Sequence, residues 1–160
     1  LGTCPSAFDS YLMALGLETL SLRASHQVKS ARRIAEFLRD APEVKSVSYI
    51  GFADNPWHAN AARYFRFDGD GPVISAELQG DTDTTARFVE ALQLAAHMTM
   101  IGDSITVVTH PASTTHKQLS ASDLIKAGVT PTLLRISPGL EDPEDIIDDF
   151  KQAFHRAGLC

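Results

Sequence analysis

The sequence predicts an α+β fold: a small, mostly antiparallel sheet covered by helices, entered through a long, bent N-terminal helix. Three observations carry this. Apolar residues recur at three- and four-residue steps over the first forty residues and again between Gly80 and His97. Between them stand short runs rich in β-branched residues, one of which alternates cleanly between apolar and polar. Consecutive strands are separated by helices or long loops, which argues for α+β or α/β and against a sandwich. At 160 residues the chain fits one domain.

The first helix is expected from about Phe8 to Asp40. Phe8, Leu12, Leu15, Thr19 and Leu22 make one apolar face, and Ile34, Ala35, Phe37 and Leu38 continue it. Arg32, Arg33, Glu36 and Arg39 line the wet side. Gly16 weakens the run by about 1 kcal/mol relative to alanine and marks the place for a bend. Pro42 stops the helix by driving Ala41 out of helical angles. Val44 to Ile50 follows as a strand with Val47 and Tyr49 on one face. Asn55 then caps a short helix with Pro56 at its first position, ending near Tyr64.

Gly69-Asp70-Gly71-Pro72 is a turn. Val73 to Gln79 is a half-buried strand, with Ile74, Ala76 and Leu78 on the core side. A helix opens at Gly80-Asp81 and is expected to reach His97, burying Ala86, Val89, Leu92 and Ala96. Ile105 to Thr109 is the third strand and His110 to Leu119 a loop. Ser120-Ala121-Ser122-Asp123 caps a short helix ended by Gly128. Leu133 to Ser137 is the fourth strand. Asp142-Pro143-Glu144-Asp145 opens the last helix, with acids at the positive end of its dipole.

Composition narrows the function. Hydrophobic residues at 44% and charged residues at 21% are globular values, and no apolar run is long enough to span a bilayer. A net charge of −6 argues against nucleic acid or an anionic membrane as partner. Cys4 and Cys160, at opposite ends, have no metal or redox spacing, so a reducing, cytoplasmic setting is expected. Leu1 in place of methionine suggests a fragment or a processed chain, and no signal peptide is visible.

Arg135 is the first candidate for chemistry. It stands on a strand among Leu133, Leu134 and Ile136, and a guanidinium offers a rigid fork that fits a carboxylate. The competing reading is an internal ion pair with Glu141 or Asp142. His110 and His116 flank a hydroxyl-rich loop, but His-x5-His does not put two imidazoles on one face and no third ligand stands out. A serine–histidine nucleophile pair there lacks a placed acid. Arg23 and His26, with Glu18 nearby, read as a solvated helix face, with a subunit or domain contact as the lesser alternative. The acids from Glu141 to Asp149 read as helix capping, since the glycine and ligand spacing of a calcium loop are missing. Trp57 beside His58 reads as a packing anchor.

Four ordered stretches carry a family resemblance: Gly16 to Arg23; Val44 through Gly51, with Tyr49; Thr109-His110-Pro111-Ala112-Ser113-Thr114-Thr115-His116; and Leu134-Arg135-Ile136-Ser137-Pro138-Gly139-Leu140-Glu141-Asp142. Together they resemble the C-terminal part of the Cys/Met-metabolism enzymes that depend on pyridoxal phosphate, which are fold-type I enzymes. The stretch from His110 to His116 and Gly128-Val129-Thr130-Pro131 look most like O-acetylhomoserine sulfhydrylase. The resemblance covers about Pro5 to Phe154.

What it implies is specific. Residues 1–160 would be a single substrate-side domain, and the cofactor-binding domain of the same enzyme would lie outside this chain. None of the lysines (Lys29, Lys45, Lys117, Lys126, Lys151) has the family's Ser-x-Thr-Lys setting, so no bound cofactor is expected on this chain. Pyridoxal phosphate would belong to the full-length enzyme, a transferase replacing acetate by sulfide or a thiol to give homocysteine or methionine. Arg135 would grip the α-carboxylate of the amino-acid substrate. Met100, standing where relatives often have serine or asparagine near that carboxylate, would serve through its backbone. Pro138 departs from the usual small aliphatic residue and puts the backbone beside Arg135 in question. Ile105, where the lyase branch tends to carry glutamate, favours the sulfhydrylase. The complete enzyme would be a homotetramer. A methionine γ-lyase or cystathionine enzyme domain is the nearest alternative, and a non-catalytic assembly or ligand-binding module is the alternative from another class.

Overall fold

The computed structural model describes residues 2–65 and 70–160. The expected long helix is two helices, α1 (Ala7–Glu18) and α2 (Leu20–Asp40). The break falls at Thr19, with φ −105° and ψ 4°, and Gly16 stays inside α1. Arg23 explains the location: its Nη2 donates to the Gly16 carbonyl at 2.6 Å and its Nε to the Thr19 hydroxyl at 3.2 Å. An outside donor thus satisfies a carbonyl at the junction. Ser6 and Asp9 form a reciprocal capping box at the start of α1. The apolar face from Phe8 to Leu22 exists, but α1 has no buried residue; Phe8 is 67% and Leu22 72% exposed. Only the second half of the run enters the core, through Ala31, Ile34, Ala35 and Leu38. As expected, α2 ends before Pro42, with Ala41 at ψ 126°.

Strand β1 (Val44–Ser48) stops before the expected Ile50, although Tyr49 just beyond it is buried. Helix α3 (His58–Tyr64) begins two residues later than Pro56 suggested. Asn55 still serves the turn, accepting from the Trp57 N–H at 3.0 Å. Trp57 is no packing anchor: it is 64% exposed. In the next turn Gly71 adopts φ 80°, a conformation that favours glycine, while Gly69 lies outside the described residues. Strand β2 (Ile74–Leu78) buries Ile74, Ala76 and Leu78 in the expected alternation.

The largest correction concerns α4 (Thr82–Ala91), which does not reach His97. Its stripe is Thr85, Phe88 and Val89, not Ala86, Leu92 and Ala96. The chain leaves the helix at Leu92, with ψ 139°, because a side chain from far along the sequence collects its amides. The buried Asp149 carboxylate accepts from Gln93 N at 2.8 Å and from Leu94 N and Ala95 N at 3.0 Å each. A carboxylate with three such donors outweighs one more helical turn, which would have left that charge buried and unmatched. The released segment forms a strand the sequence did not announce, β3 (Ala96–His97).

β4 (Val107–Thr109), a 3-10 turn at Pro111–Ser113, α5 (Ala121–Lys126), β5 (Leu133–Ser137) and α6 (Pro143–Ala157) complete the chain. Ser120 caps α5, Asp142 caps α6, and Gly158 closes α6 at φ 77°. The strand order is β1-β2-β5-β4-β3. All pairings are antiparallel except β3 with β4, which is parallel. The α+β expectation therefore holds, with five strands in place of four.

One sheet face is dry. Ile74, Ala76, Leu78, Val108, Leu134 and Ile136 pack with the buried side chains of α2, α4 and α6. Phe88 stacks on Phe154 at 4.9 Å and meets Phe150 edge-on at 5.8 Å, joining α4 to α6. Alternation sends Ser75, Arg135 and Thr109 to the other face, and the register sets them in one row, Ser75 opposite Arg135 and Arg135 opposite Thr109.

Because Asp149 satisfies three amides at once, Asp149→Ala should lose about 3 kcal/mol or more in denaturant unfolding. Asp149→Asn, which keeps one acceptor, should lose less. Equal stability of wild type and the alanine variant would refute this account of the α4 terminus.

Candidate functional site

Arg135 leaves β5 toward the face that the helices do not cover, and it is half-buried. Its Nη2 donates to the Thr99 carbonyl at 2.7 Å and to the Thr109 hydroxyl at 3.2 Å. The Thr109 hydroxyl in turn donates to the Met98 carbonyl. Among the described residues no carboxylate pairs with this guanidinium. The two acids that compete for it in the sequence are engaged elsewhere. Glu141 accepts from Thr106 N at 2.7 Å and Thr106 Oγ1 at 2.8 Å, and Asp142 caps α6 through Glu144 N at 2.9 Å. The arginine is thus oriented by neutral oxygens, and no described acid offsets its charge. Its Nε is buried without a partner, and Nη1 donates to no described residue.

This arrangement can receive an anion. Neutral acceptors fix the plane without cancelling the charge, and unused donors remain for a carboxylate. Pro138 does not disturb it. β5 pairs regularly through Ser137, so the missing Pro138 N–H falls just past the ladder. Met100 follows the residue whose carbonyl Arg135 holds and is 50% exposed.

The other candidates separate from this centre. His110 is wholly buried; its Nε2 lies 2.8 Å from the Pro131 carbonyl, and Ser113 Oγ lies 2.9 Å from its Nδ1. A carbonyl beside Nε2 requires the proton there, and in a neutral ring Nδ1 then accepts from Ser113. With a carbonyl where an orienting acid would stand, the pair clips two loops together and forms no nucleophile dyad. His116 Nδ1 meets Thr115 Oγ1 at 2.8 Å, and no cluster of metal-ligating residues occurs among the described residues. Arg23 serves the α1–α2 junction, while His26 Nε2 reaches the Glu141 carbonyl at 3.2 Å, a contact helix periodicity could not reveal.

Clefts also lie away from this centre. One of about 630 Å³ runs between α2 and α6, beside Arg33, Phe37, Asp40, Lys151 and Cys160. Its cations are already paired, Arg33 with Glu144 at 2.6 Å and Lys151 with Asp148 at 2.8 Å. Another, about 240 Å³, lies beside Tyr49 and Asn55. Burial, and then the charge of Asp70, holds the Tyr49 phenol well above its ordinary pKa, so it stays protonated.

Of the loop that faces Arg135 the sequence singled out Met100 and Ile105, but not the contacts that anchor it. Residues 98–106 return from β3 to β4 and are fastened at both ends. Gly102 N donates to Ser137 Oγ at 3.2 Å, Leu140 N to Ser104 O at 2.8 Å, and Gln27 Nε2 to Asp103 O at 2.6 Å. The available signal was Thr106, a hydroxyl just ahead of Val107 and Val108, where it is wholly buried.

With fold and site in place, comparison with known proteins is decisive at the family level. Residues 1–155 match the model of the Cys/Met metabolism PLP-dependent enzymes, and the chain belongs to that family. It is 39% identical over 152 residues to O-acetyl-L-homoserine sulfhydrylase 1 of Thermus thermophilus, which covers 95% of this chain and 36% of that protein. It is 40% identical to homocysteine synthase of Schizosaccharomyces pombe, over 98% of this chain and 36% of that protein. The structure of a cystathionine γ-lyase from Micromonospora echinospora superposes with a TM-score of 0.88 at 34% identity, over 96% of this chain and 40% of that one. The chain thus spans about a third of the length of the curated relatives it matches. Among the described residues no helix is long and apolar enough to cross a membrane.

The family's cofactor is pyridoxal phosphate. The residues described here do not fit it as a holder. All five lysines are exposed, and Lys45, Lys126 and Lys151 sit in surface ion pairs. The starts of α4 and α6 are capped by Asp81 and Asp142, carboxylates where a phosphate would need free amides.

Gly139, on the segment after β5, has no room for a side chain: a Cβ would overlap the Glu141 carboxylate and the backbone of residues 104–105. Gly139→Ala should cost about 2 kcal/mol or more in denaturant unfolding. A neutral result would show that this segment yields freely.

Proposed function

We propose that this chain is the substrate-side domain of a transferase of the O-acetylhomoserine sulfhydrylase type. In that reaction the Cγ–O bond to acetate breaks and a C–S bond to sulfide or a thiol forms, giving homocysteine, or methionine from methanethiol. This chain's part is to seize the α-carboxylate of the amino acid through Arg135 and to shape the adjoining wall with the loop of Met100. Held there, the amino acid presents a fixed orientation, and a fixed orientation is worth several kcal/mol of barrier. The complete enzyme would bring a cofactor-binding domain outside these residues and assemble as a cytoplasmic homotetramer.

The observation that carries the reading is an arginine oriented only by neutral oxygens, with no acid on it among the described residues. The sulfhydrylase-type relatives support the choice within the family. The likeness to a cystathionine γ-lyase supports the alternative, an elimination on the same scaffold.

Two measurements on the full-length enzyme test this. Arg135→Ala should raise KM for the amino-acid substrate roughly 30- to 900-fold, equivalent to about 2–4 kcal/mol for a lost charge-assisted pair. An unchanged KM removes Arg135 from the site. O-acetylhomoserine with sulfide should yield homocysteine, and methionine alone should yield no 2-oxobutyrate. Release of 2-oxobutyrate without sulfide overturns the sulfhydrylase assignment.

A further inference from the structure

We infer that Glu141 is a positioning residue for the substrate carboxylate, acting through Thr106 and the 98–106 loop on Arg135; this rests on the assignment of Arg135 as the carboxylate binder. Arg135 has two sequence neighbourhoods. One is the segment that leaves its own strand, residues 138–141. The other is the loop whose Thr99 carbonyl accepts from its Nη2 at 2.7 Å. Glu141 locks the two together. Its Oε1 accepts from Thr106 N at 2.7 Å and its Oε2 from Thr106 Oγ1 at 2.8 Å. The same hydroxyl accepts from Gly139 N at 2.9 Å, so one buried threonine oxygen ties its own segment to the 138–141 segment at two points.

Several features show that the lock is built for register. Thr106 is wholly buried and Gly139 admits no Cβ. Leu140 N donates to Ser104 O at 2.8 Å, and Gly102 N to Ser137 Oγ at 3.2 Å. His26 Nε2, at 3.2 Å from the Glu141 carbonyl, pins the glutamate backbone to α2. The far end of the loop is then set where Met98 and Thr99 offer their carbonyls to Thr109 and Arg135. With Thr106 released, the loop can slide relative to β5, and Thr99 no longer fixes the plane of the guanidinium. A two-pronged contact depends steeply on that plane. Glu141 spends both oxygens on Thr106, so the acid nearest Arg135 in sequence is kept from neutralising it.

The test uses the full-length enzyme and O-acetylhomoserine with sulfide, or cystathionine if that is what the wild type turns over. Thr106→Val keeps the shape and removes only the hydroxyl. It should raise KM for the amino acid about tenfold, with kcat within about twofold. Glu141→Ala should do at least as much, and Glu141→Gln, which keeps one acceptor for Thr106 N, should recover part of the loss. In an Arg135→Ala background, Thr106→Val should add less than about twofold, since the group it positions is gone. If Arg135→Ala raises KM but Thr106→Val leaves it within twofold, this inference fails while the carboxylate assignment stands. If Arg135→Ala leaves KM unchanged, the assignment itself fails. Should Glu141→Ala not fold, Thr106→Val decides alone. Additive effects in the double variant would reduce Glu141 to a structural support and overturn the proposal.

Discussion

The site depends on a guanidinium held in place by neutral oxygens. An arginine paired with an acid is oriented but spent; an arginine free in solvent has its charge but no direction. Arg135 has direction from the Thr99 carbonyl and the Thr109 hydroxyl and keeps its charge. That arrangement requires the nearby acids to be occupied elsewhere, and the fold meets the requirement twice. Glu141 is committed to Thr106, and Asp142 to the first turn of α6.

Two buried or half-buried carboxylates from the C-terminal segment organise the middle of the chain. Asp149 gathers the amides of residues 93–95 and turns the chain out of α4 into β3. Glu141 gathers Thr106 and fixes where β4 begins. The loop facing Arg135 lies between these anchors. The apolar layer of α2, α4 and α6 supplies the rigid backing, burying Ile34, Phe88, Ile146, Phe150 and Phe154 against the dry sheet face. Burial stabilises the sheet on one side, and polar anchors shape it on the other.

Legibility in the sequence follows the same division. Where burial sets local structure, period alone was enough: β2 and the buried half of α2 stand where alternation or helical spacing puts them. Local caps were equally readable, as Ser120 and Asp142 show. Long-range polar contacts were not. The end of α4 is decided by Asp149, more than fifty residues away, and nothing between Gln93 and His97 announces it. The apolar run from Phe8 to Leu22 announces a helix, but period cannot say whether a helix face is covered. Arg135 was legible because a lone cation among aliphatic residues on a strand is conspicuous. Its freedom from Glu141 and Asp142 was not, because it depends on where those carboxylates turn in space.

The most direct measurement pairs a change in the protein with a change in the ligand. In the full-length enzyme, competition by the amino-acid substrate is compared with competition by its carboxamide, which has the same shape without the negative charge. The wild type should prefer the acid strongly, and Arg135→Ala should bind the two almost equally, since the charge that tells them apart has been removed. An Arg135→Ala enzyme that keeps the wild-type preference for the acid would place the carboxylate on some other group and contradict the account.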